Sequence, residues 1–315
     1  MAESAAPIAV SGLVRRFPGV LALDRVSFDV KEGEIFGLVG PDGAGKTTLL
    51  RILSGLLDAS EGRALVAGAD VGGESAAVQN QISYMPQRFG LYEDLTVDEN
   101  IRFYADLFGV RREEREQRAK ELLEAAGMSP FRRRLAGQLS GGMKQKLGLV
   151  CALIHRPRVL LLDEPTNGVD PVSRREFWQI LYSLQLAGAT ILISTSYLDE
   201  AERCHRIALL DRGQLLFCDT PMALKGILAG AVVAVTAPDP RAVRDGLAGA
   251  EGVTTSVLVG DGVHLVVDDG PRRIPELRQR LAERGLAVDE ISLVAPTVED
   301  LFVSVVEAQR GRAKA

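Results

Sequence analysis

The chain has 315 residues and a formal net charge of −5, with 46% hydrophobic and 25% charged residues. This length suits one large domain or a medium domain with a small one, and the composition is that of an ordinary globular protein. The weak negative charge provides no field that would draw nucleic acid or an anionic bilayer. Apolar stretches stay well short of the roughly 20 residues that span a bilayer, and the amino terminus lacks the pattern of a secretory signal. We therefore expect a cytoplasmic protein that reaches any membrane process through a partner.

The first two thirds of the chain alternate short apolar runs with turns and helical stretches. Ile8–Leu13 and Val26–Val30 read as strands. Three fully apolar runs, Ile35–Val39, Val159–Leu162 and Thr190–Ser194, are separated by helical patterns. Such runs predict a parallel sheet that is covered on both faces. Residues from about 88 to 154 have helical spacing almost throughout, which predicts a helical insertion between the first and later strands.

The pattern changes near residues 221–230. The elements expected beyond this point are a strand (231–236), a helix (240–247), two strands (253–259 and 263–267), a helix (275–284) and a last strand (291–294). This order suits a small α+β domain. We therefore predict a first domain at residues 1–225 and a second at residues 226–315, whose polar tail after Ala308 is expected to lack regular structure.

A glycine-rich segment follows the apolar run Ile35–Val39 and precedes a helical stretch. It matches the pattern G-x-x-x-x-G-K-[ST] and consists of Gly40, Pro41, Asp42, Gly43, Ala44, Gly45, Lys46, Thr47 and Thr48. In this strand–loop–helix context, backbone N–H groups turn inward and cradle phosphate oxygens. Lys46 is expected to reach the β- and γ-phosphates, and the Thr47 hydroxyl to ligate Mg2+.

Two further motifs favour the same chemistry. The apolar run Val159–Leu162 ends in Asp163 and Glu164, which can deliver one carboxylate to Mg2+ and the next to an attacking water. Taken alone, the pair could equally be a solvated acidic turn. Ser140, Gly141 and Gly142 precede a helical run and form a second anion-binding helix start, although an ordinary serine N-cap gives the same pattern. One molecule has no use for two γ-phosphate cradles so far apart along the chain, whereas two molecules packed head to tail could each close the other's site.

Together with Gln87, Asp170 and the segment Ser194–Glu202, these motifs resemble the ABC-type ATPases over residues about 8 to 225. The similarity is greatest to the cytoplasmic ATPases of ABC-2-type exporters. It implies an α/β fold: a P-loop NTPase domain with a RecA-like parallel sheet, an antiparallel β subdomain and a helical insertion, followed by a small α+β C-terminal domain. It also implies ATP and Mg2+ as cofactors, a transmembrane permease and a second ATPase subunit as partners, and no nucleic acid.

The resemblance also assigns roles to individual residues. Phe17 would stack on adenine, although it could simply pack on Pro18. The residues expected to hold the phosphates and Mg2+ are those of the P-loop, with Asp163 and Gln87 supporting the metal. Glu164 would be the general base, and Asp170 would communicate across the dimer.

Two positions depart from the family pattern. Asp42 stands where the P-loop commonly has Asn, and we expect little consequence. Ser196 stands where the family has a histidine that contacts the γ-phosphate, and a serine is too short and cannot carry positive charge. His205 lies further along and is expected to be too distant to substitute. The hypothesis is a chain that binds ATP but hydrolyses it poorly, as one half of a heterodimer; the alternative is a slower homodimer.

Two other function classes remain open. A soluble ABC ATPase that acts on DNA or ribosomes would need a long coiled coil between the P-loop and the signature segment (Ser140, Gly141 and Gly142), or two joined ATPase halves. The sequence shows neither. A regulatory subunit without hydrolysis is favoured by Ser196 but disfavoured by Glu164. In the C-terminal domain, His264 lies alone on a strand and is expected to be structural or exposed.

Overall fold

The computed structural model describes residues 6–88 and 90–312, with side chains described to Val306. The chain divides into two compact units, residues 1–218 and 219–315. The domain limits drawn from the sequence, with their boundary after residue 225, stay a prediction. Among the described residues, no helix combines the length and the apolar character that a membrane span requires.

The first unit contains ten strands and seven α-helices among the residues described. The strands are β1 (Ile8–Phe17), β2 (Val20–Val30), β3 (Ile35–Val39), β4 (Glu61–Val66), β5 (Ala69–Asp70), β6 (Ile82–Met85), β7 (Val159–Asp163), β8 (Thr190–Thr195), β9 (Arg206–Asp211) and β10 (Gln214–Asp219). The helices are α1 (Lys46–Leu53), α2 (Ser75–Gln79), α3 (Val97–Leu107), α4 (Arg112–Ala125), α5 (Gly141–Leu153), α6 (Pro171–Leu186) and α7 (Leu198–Ala201).

A six-stranded sheet has the order β10-β9-β3-β8-β7-β6, and β3, β6, β7, β8 and β9 run parallel. Strands β3 and β7 are buried along their whole length, as expected for a sheet covered on both faces. Because parallel strands end at the same edge, the loops after β3, β7 and β8 meet there. The P-loop, Glu164 and Ser196 therefore share one edge of the sheet.

An antiparallel sheet of order β2-β1-β4-β5 completes the first unit's core, together with α1. Strands β1 and β2 are longer than the sequence predicted, because they pair with each other as far as Phe17 and Val20 across a tight turn. The predicted α/β fold with an antiparallel subdomain is confirmed.

The helical insertion has a hydrophobic core of its own, to which α3, α4 and α5 contribute. Helix α3 begins with a capping box: the Glu99 backbone N–H donates to Thr96 Oγ1 at 3.2 Å, and Thr96 N–H donates to Glu99 Oε2 at 2.8 Å. The two side chains satisfy donors that an isolated helix start would leave unpaired. All three helices lie within the region of residues 88 to 154 whose spacing predicted helical structure.

The second unit contains α8 (Pro221–Lys225), β11 (Ala231–Thr236), α9 (Pro240–Leu247), β12 (Val253–Val259), β13 (Gly262–Val267), α10 (Gly270–Glu283), β14 (Glu290–Val294) and α11 (Val298–Arg312). Its antiparallel sheet has the order β12-β13-β11-β14. The predicted order of strands and helices is present, but α10 begins at Gly270, five residues before the predicted start, where the Asp269 side chain accepts a hydrogen bond from Arg272 N–H.

Helix α11 corrects the expectation for the tail. It continues to Arg312, so the prediction of no regular structure after Ala308 is wrong up to that residue, while residues 313–315 lie outside the described part. His264 on β13 is not alone: its Nδ1 lies 3.1 Å from Oδ1 of Asp300, which is buried in the first turn of α11. This contact makes His264 structural, as expected.

Candidate nucleotide site

The P-loop connects buried strand β3 to helix α1, as its sequence pattern requires. A Cβ on Gly40 would overlap the carbonyl oxygen of Leu210. A Cβ on Gly45, whose φ is +106°, would lie 2.6 Å from the carbonyl oxygen of Ala22. Glycine leaves this space at both positions, and only glycine freely adopts the left-handed backbone found at Gly45. The loop therefore packs directly against the backbone of Leu210 and Ala22.

Lys46 lies buried at the start of α1. Its Nζ donates to the carbonyl oxygens of Gly40 at 2.7 Å and Pro41 at 3.0 Å, and it pairs with Glu164 Oε1 at 3.0 Å. Both charged side chains are only 4% exposed. Because a buried cation needs compensation, an anionic ligand in the loop can take the place of these contacts. The structure thus brings together two residues 118 positions apart, both predicted for the site.

Asp163 ends β7 beneath the P-loop. Its Oδ1 accepts hydrogen bonds from Thr47 Oγ1 at 3.1 Å and Ser194 Oγ at 2.8 Å, and its Oδ2 accepts one from the Tyr84 hydroxyl at 3.2 Å. Burial, with the nearby Asp163 charge, raises the pKa of Tyr84 to about 12, so the phenol stays a donor. Three donors therefore hold this carboxylate in one orientation.

Glu164 directly follows β7 with a left-handed backbone (φ +47°). Its N–H donates to Ser194 Oγ at 3.0 Å, and its Oε2 accepts from Asn167 Nδ2 at 3.2 Å. A non-glycine residue in this conformation is uncommon and persists only where its surroundings impose it. The backbone here aims the carboxylate at Lys46 and the P-loop instead of along the strand.

A cleft of about 590 Å³ opens over these residues. Its lining consists of Val20, Leu21, Ala22, Asp42, Gly43, Ala44, Gly45, Lys46, Thr47, Thr48, Gln87, Glu164, Asn167 and Arg212. Sequence reasoning missed five of them: Val20, Leu21, Ala22, Asn167 and Arg212. The turn that carries Arg212 is tied to the P-loop, because Gly213 N–H donates to the Ala44 carbonyl oxygen at 2.9 Å. In the sequence, the only sign of this turn is the pattern Asp211-Arg212-Gly213.

Phe17 and Ser196 do not appear in the cleft lining formed by the described residues. Phe17 ends β1 with 38% of its surface exposed, and the Arg15 guanidinium lies 4.5 Å from the centre of its ring. Val20 and Leu21, three and four residues later, supply the apolar wall at this end of the cleft. The adenine-stacking role of Phe17 stays a prediction.

The signature segment forms the start of α5. Exposed Ser140 is its N-cap, and its Oγ accepts a hydrogen bond from Met143 N–H at 3.3 Å. A Cβ on Gly142 would overlap the Ser173 side chain on α6, whereas Gly141 faces open space. Ser140 is thus an N-cap at an exposed helix start, so the two interpretations of this segment are compatible.

Asp170 caps α6. Its Oδ1 accepts hydrogen bonds from Val172 N–H at 3.1 Å and Ser173 N–H at 2.9 Å, and the bond from the Ser173 backbone lowers the pKa of Asp170. Because Gly142 packs on Ser173, the Asp170 cap and the signature helix are neighbours within the chain.

Comparison with known proteins now identifies the family. The family model described as ABC transporter matches residues 23–167. The probable multidrug ABC transporter ATP-binding protein YbhF of Escherichia coli is 52% identical over 235 residues, which are 74% of this chain and 41% of that protein. The daunorubicin resistance ATP-binding protein DrrA2 of Streptomyces coeruleorubidus is 36% identical over 301 residues, 94% of each chain. The chain belongs to the ABC transporter ATP-binding proteins.

A solved structure of the same family supports the fold. The dimeric post-hydrolysis state of the ATP-binding cassette MJ0796, bound to ADP and Pi, matches with a TM-score of 0.61 at 28% identity, over 68% of this chain and 98% of that one. The chain spans 41% of the length of YbhF.

Ser196 is the first residue after β8 in this ABC cassette and is partly buried. His205 lies at the opposite end of the sheet, where its Nδ1 accepts a hydrogen bond from Ile35 N–H at 3.1 Å. Ile35 begins β3 and the P-loop follows its end, so roughly 13 Å of strand separates His205 from the site. His205 therefore cannot replace the family histidine.

The residues present fit a magnesium ion. Thr47 Oγ1 and Asp163 Oδ1 are hard oxygen donors 3.1 Å apart beside the phosphate loop, and the exposed Gln87 lines the same cleft. Mg2+ prefers one or two protein oxygens and completes its shell with phosphate and water. Thr47 and Asp163 would hold the ion, and Gln87 lines the cleft in which its remaining ligands would lie.

Proposed function

We propose that this chain binds ATP with Mg2+ in the P-loop cleft and hydrolyses it to drive a membrane exporter. The observation that carries the proposal is the buried pair Lys46–Glu164, at 3.0 Å, beside the Thr47–Asp163 oxygens. A cation, a carboxylate and a pair of metal-binding oxygens around a phosphate cradle are the parts that phosphoryl transfer requires.

The pair also suggests how the residues act. When a phosphate enters, Lys46 would exchange the carbonyl oxygens of Gly40 and Pro41, and Glu164 Oε1, for phosphate oxygens. Glu164 then has a free oxygen to accept a proton from water, while Asn167 still holds its other oxygen. Bound Mg2+ would neutralise charge on the phosphates.

Two observations favour a permease and a second ATPase subunit as partners: the names of the relatives and the exposed Ser140 at the start of α5. YbhF is named as a probable multidrug ABC transporter ATP-binding protein, and DrrA2 as a daunorubicin resistance ATP-binding protein. We infer that this chain acts likewise with a separate permease, at the inner face of the membrane, and dimerises head to tail. The exposed Ser140, the α5 amides and the glycines that precede Met143 would close the partner's site.

The test measures ATP binding and phosphate release by the full chain. Glu164→Gln is expected to keep MgATP binding and to lower turnover by about 100-fold or more, because the amide cannot act as a base. Glu113→Gln, an exposed substitution on α4, is the matched control. Equal turnover in the parent chain and Glu164→Gln would refute hydrolysis at this site.

A second proposal concerns the dimer. Because Ser196 stands where the family pattern has a histidine and His205 lies far away, we infer slow hydrolysis at this chain's own site and a heterodimer with a competent partner. The alternative is a homodimer that tolerates Ser196. The test measures ATP hydrolysis by the purified parent chain and by its Ser196→His variant. If the parent chain hydrolyses ATP briskly and the substitution does not raise the rate, the asymmetric dimer is contradicted.

A further inference from the structure

Glu200 is a buried carboxylate in the short helix α7 that no part of the proposed mechanism uses. Its surface is 0% exposed, and each of its oxygens accepts a hydrogen bond from a different threonine. Thr166 Oγ1 donates to Oε1 at 2.8 Å, and Thr195 Oγ1 donates to Oε2 at 2.8 Å. Both threonines are 1% exposed. A buried charge is retained only where such partners compensate its loss of water.

The two threonines belong to the two segments that carry the catalytic edge. Thr166 lies two residues after Glu164, in the loop that follows β7, and Thr195 is the last residue of β8, directly before Ser196. These loops leave neighbouring parallel strands. The Glu200 carboxylate therefore bridges the loop that carries Glu164 and the loop that begins with Ser196.

The bridge continues toward Glu164 through Tyr197. Thr195 Oγ1 also accepts from Tyr197 N–H at 3.0 Å, and the Tyr197 hydroxyl donates to Asn167 Oδ1 at 3.5 Å. Asn167 in turn donates to Glu164 Oε2 at 3.2 Å. A continuous set of contacts thus runs from the Glu200 carboxylate to the base.

Arg174 on α6 supplies positive charge to the same cluster. Its Nε lies 3.7 Å from Glu200 Oε1, and its guanidinium lies 4.0 Å from the centre of the Tyr197 ring. The guanidinium is close enough to balance the buried carboxylate and also packs on the aromatic ring that contacts Asn167. The cluster thus ties α6 to both loops.

We propose that Glu200 is a positioning residue: by clamping Thr166 to Thr195 it keeps Glu164 and Asn167 at the spacing that hydrolysis requires. This inference rests on the proposed function. Loss of the clamp leaves the phosphate cradle intact, so it should slow the chemical step and spare nucleotide affinity, since displacements of about 1 Å can cost roughly 100-fold in rate.

The test compares Thr195→Val with Thr190→Val in the full chain. Both threonines lie on β8, at 1% and 2% exposure, and Thr190 Oγ1 accepts one hydrogen bond, from Gly33 N–H, at the far end of the strand. Thr195→Val and Glu200→Gln should lower turnover by about tenfold to 100-fold and change ATP affinity by less than about twofold, while Thr190→Val leaves turnover unchanged. A turnover loss no greater than that of Thr190→Val, or an equal loss of affinity, would overturn the clamp.

Amide hydrogen exchange provides a readout that needs no turnover. Glu200→Gln should raise exchange in residues 165–170 and in residues 196–199 together, with 190–193 unchanged; exchange that rises in one loop only, or in neither, refutes the clamp. Thr166→Val repeats the test without altering the carboxylate, should Glu200→Gln not fold. If the parent chain hydrolyses ATP no faster than Glu164→Gln, the proposed function fails, and the exchange result still decides whether the clamp exists.

Discussion

Ser194→Ala removes the hydroxyl that joins the two acidic residues of the site. Ser194 Oγ donates to Asp163 Oδ1 at 2.8 Å and accepts from Glu164 N–H at 3.0 Å, and the residue is 0% exposed. A buried hydrogen bond to a charged group contributes about 1.5–3 kcal/mol. The second loss is small, because Glu164 N–H also lies 3.2 Å from the Ser194 carbonyl oxygen. We therefore expect a destabilisation of about 2 kcal/mol.

The same substitution should weaken the metal site. Asp163 keeps its bonds from Thr47 and Tyr84 but loses its shortest one, so the carboxylate can rotate. Removal of a partner that orients a metal ligand typically costs about 10–100-fold in metal affinity or activity. The expected result is a higher Mg2+ requirement for ATP binding and hydrolysis.

Two measurements check this expectation, with Ser83→Ala on β6 as the buried-serine control, since Ser83 is 6% exposed. Thermal unfolding of a unit of this size should shift by about 4–8 °C for 2 kcal/mol. A Mg2+ titration of ATP binding gives the second value. If Ser194→Ala unfolds like the parent chain, or if its Mg2+ dependence matches that of Ser83→Ala, the inferred role of this hydroxyl is refuted.

Three further outcomes follow from the structure. Gly40→Ala should abolish nucleotide binding in a calorimetric titration, because its Cβ would overlap the Leu210 carbonyl oxygen and force the P-loop to move. Asp170→Ala should lower the thermal stability of the chain near neutral pH, and the difference should vanish as pH falls through the lowered pKa of Asp170. His264→Asn should destabilise the second unit most below about pH 6.5, the ordinary histidine value, and progressively less as pH rises through the native pKa of His264, which the hydrogen bond to Asp300 raises. For Asp300, burial is the largest single influence and raises its pKa, but the hydrogen bonds from His264 and Thr297 together outweigh burial and lower the pKa. The stabilisation from the pair is therefore also lost in acid. A stability difference that does not depend on pH would contradict the inferred ion pair of His264, and proton NMR of the three histidines measures its pKa directly.

The features that the sequence determined by itself are those with short-range physical causes. The P-loop, the acidic end of β7 and the serine start of α5 each lie within one strand–loop–helix unit, so their spacing alone predicts local structure. The helical insertion, and the succession of strands and helices along the chain in the second unit, follow from hydrophobic periodicity in the same way. The family assignment rested on these motifs and is confirmed.

Tertiary structure alone decided the contacts between distant segments. Lys46 meets Glu164, Thr166 meets Thr195 through Glu200, and His264 meets an acidic residue on α11, because sheet order and helix packing bring loops together that are far apart along the chain. Periodicity reports which face of an element is buried but not what it faces. Parallel strands end at one edge of their sheet, so the site was assembled there from motifs that the sequence could only name one at a time.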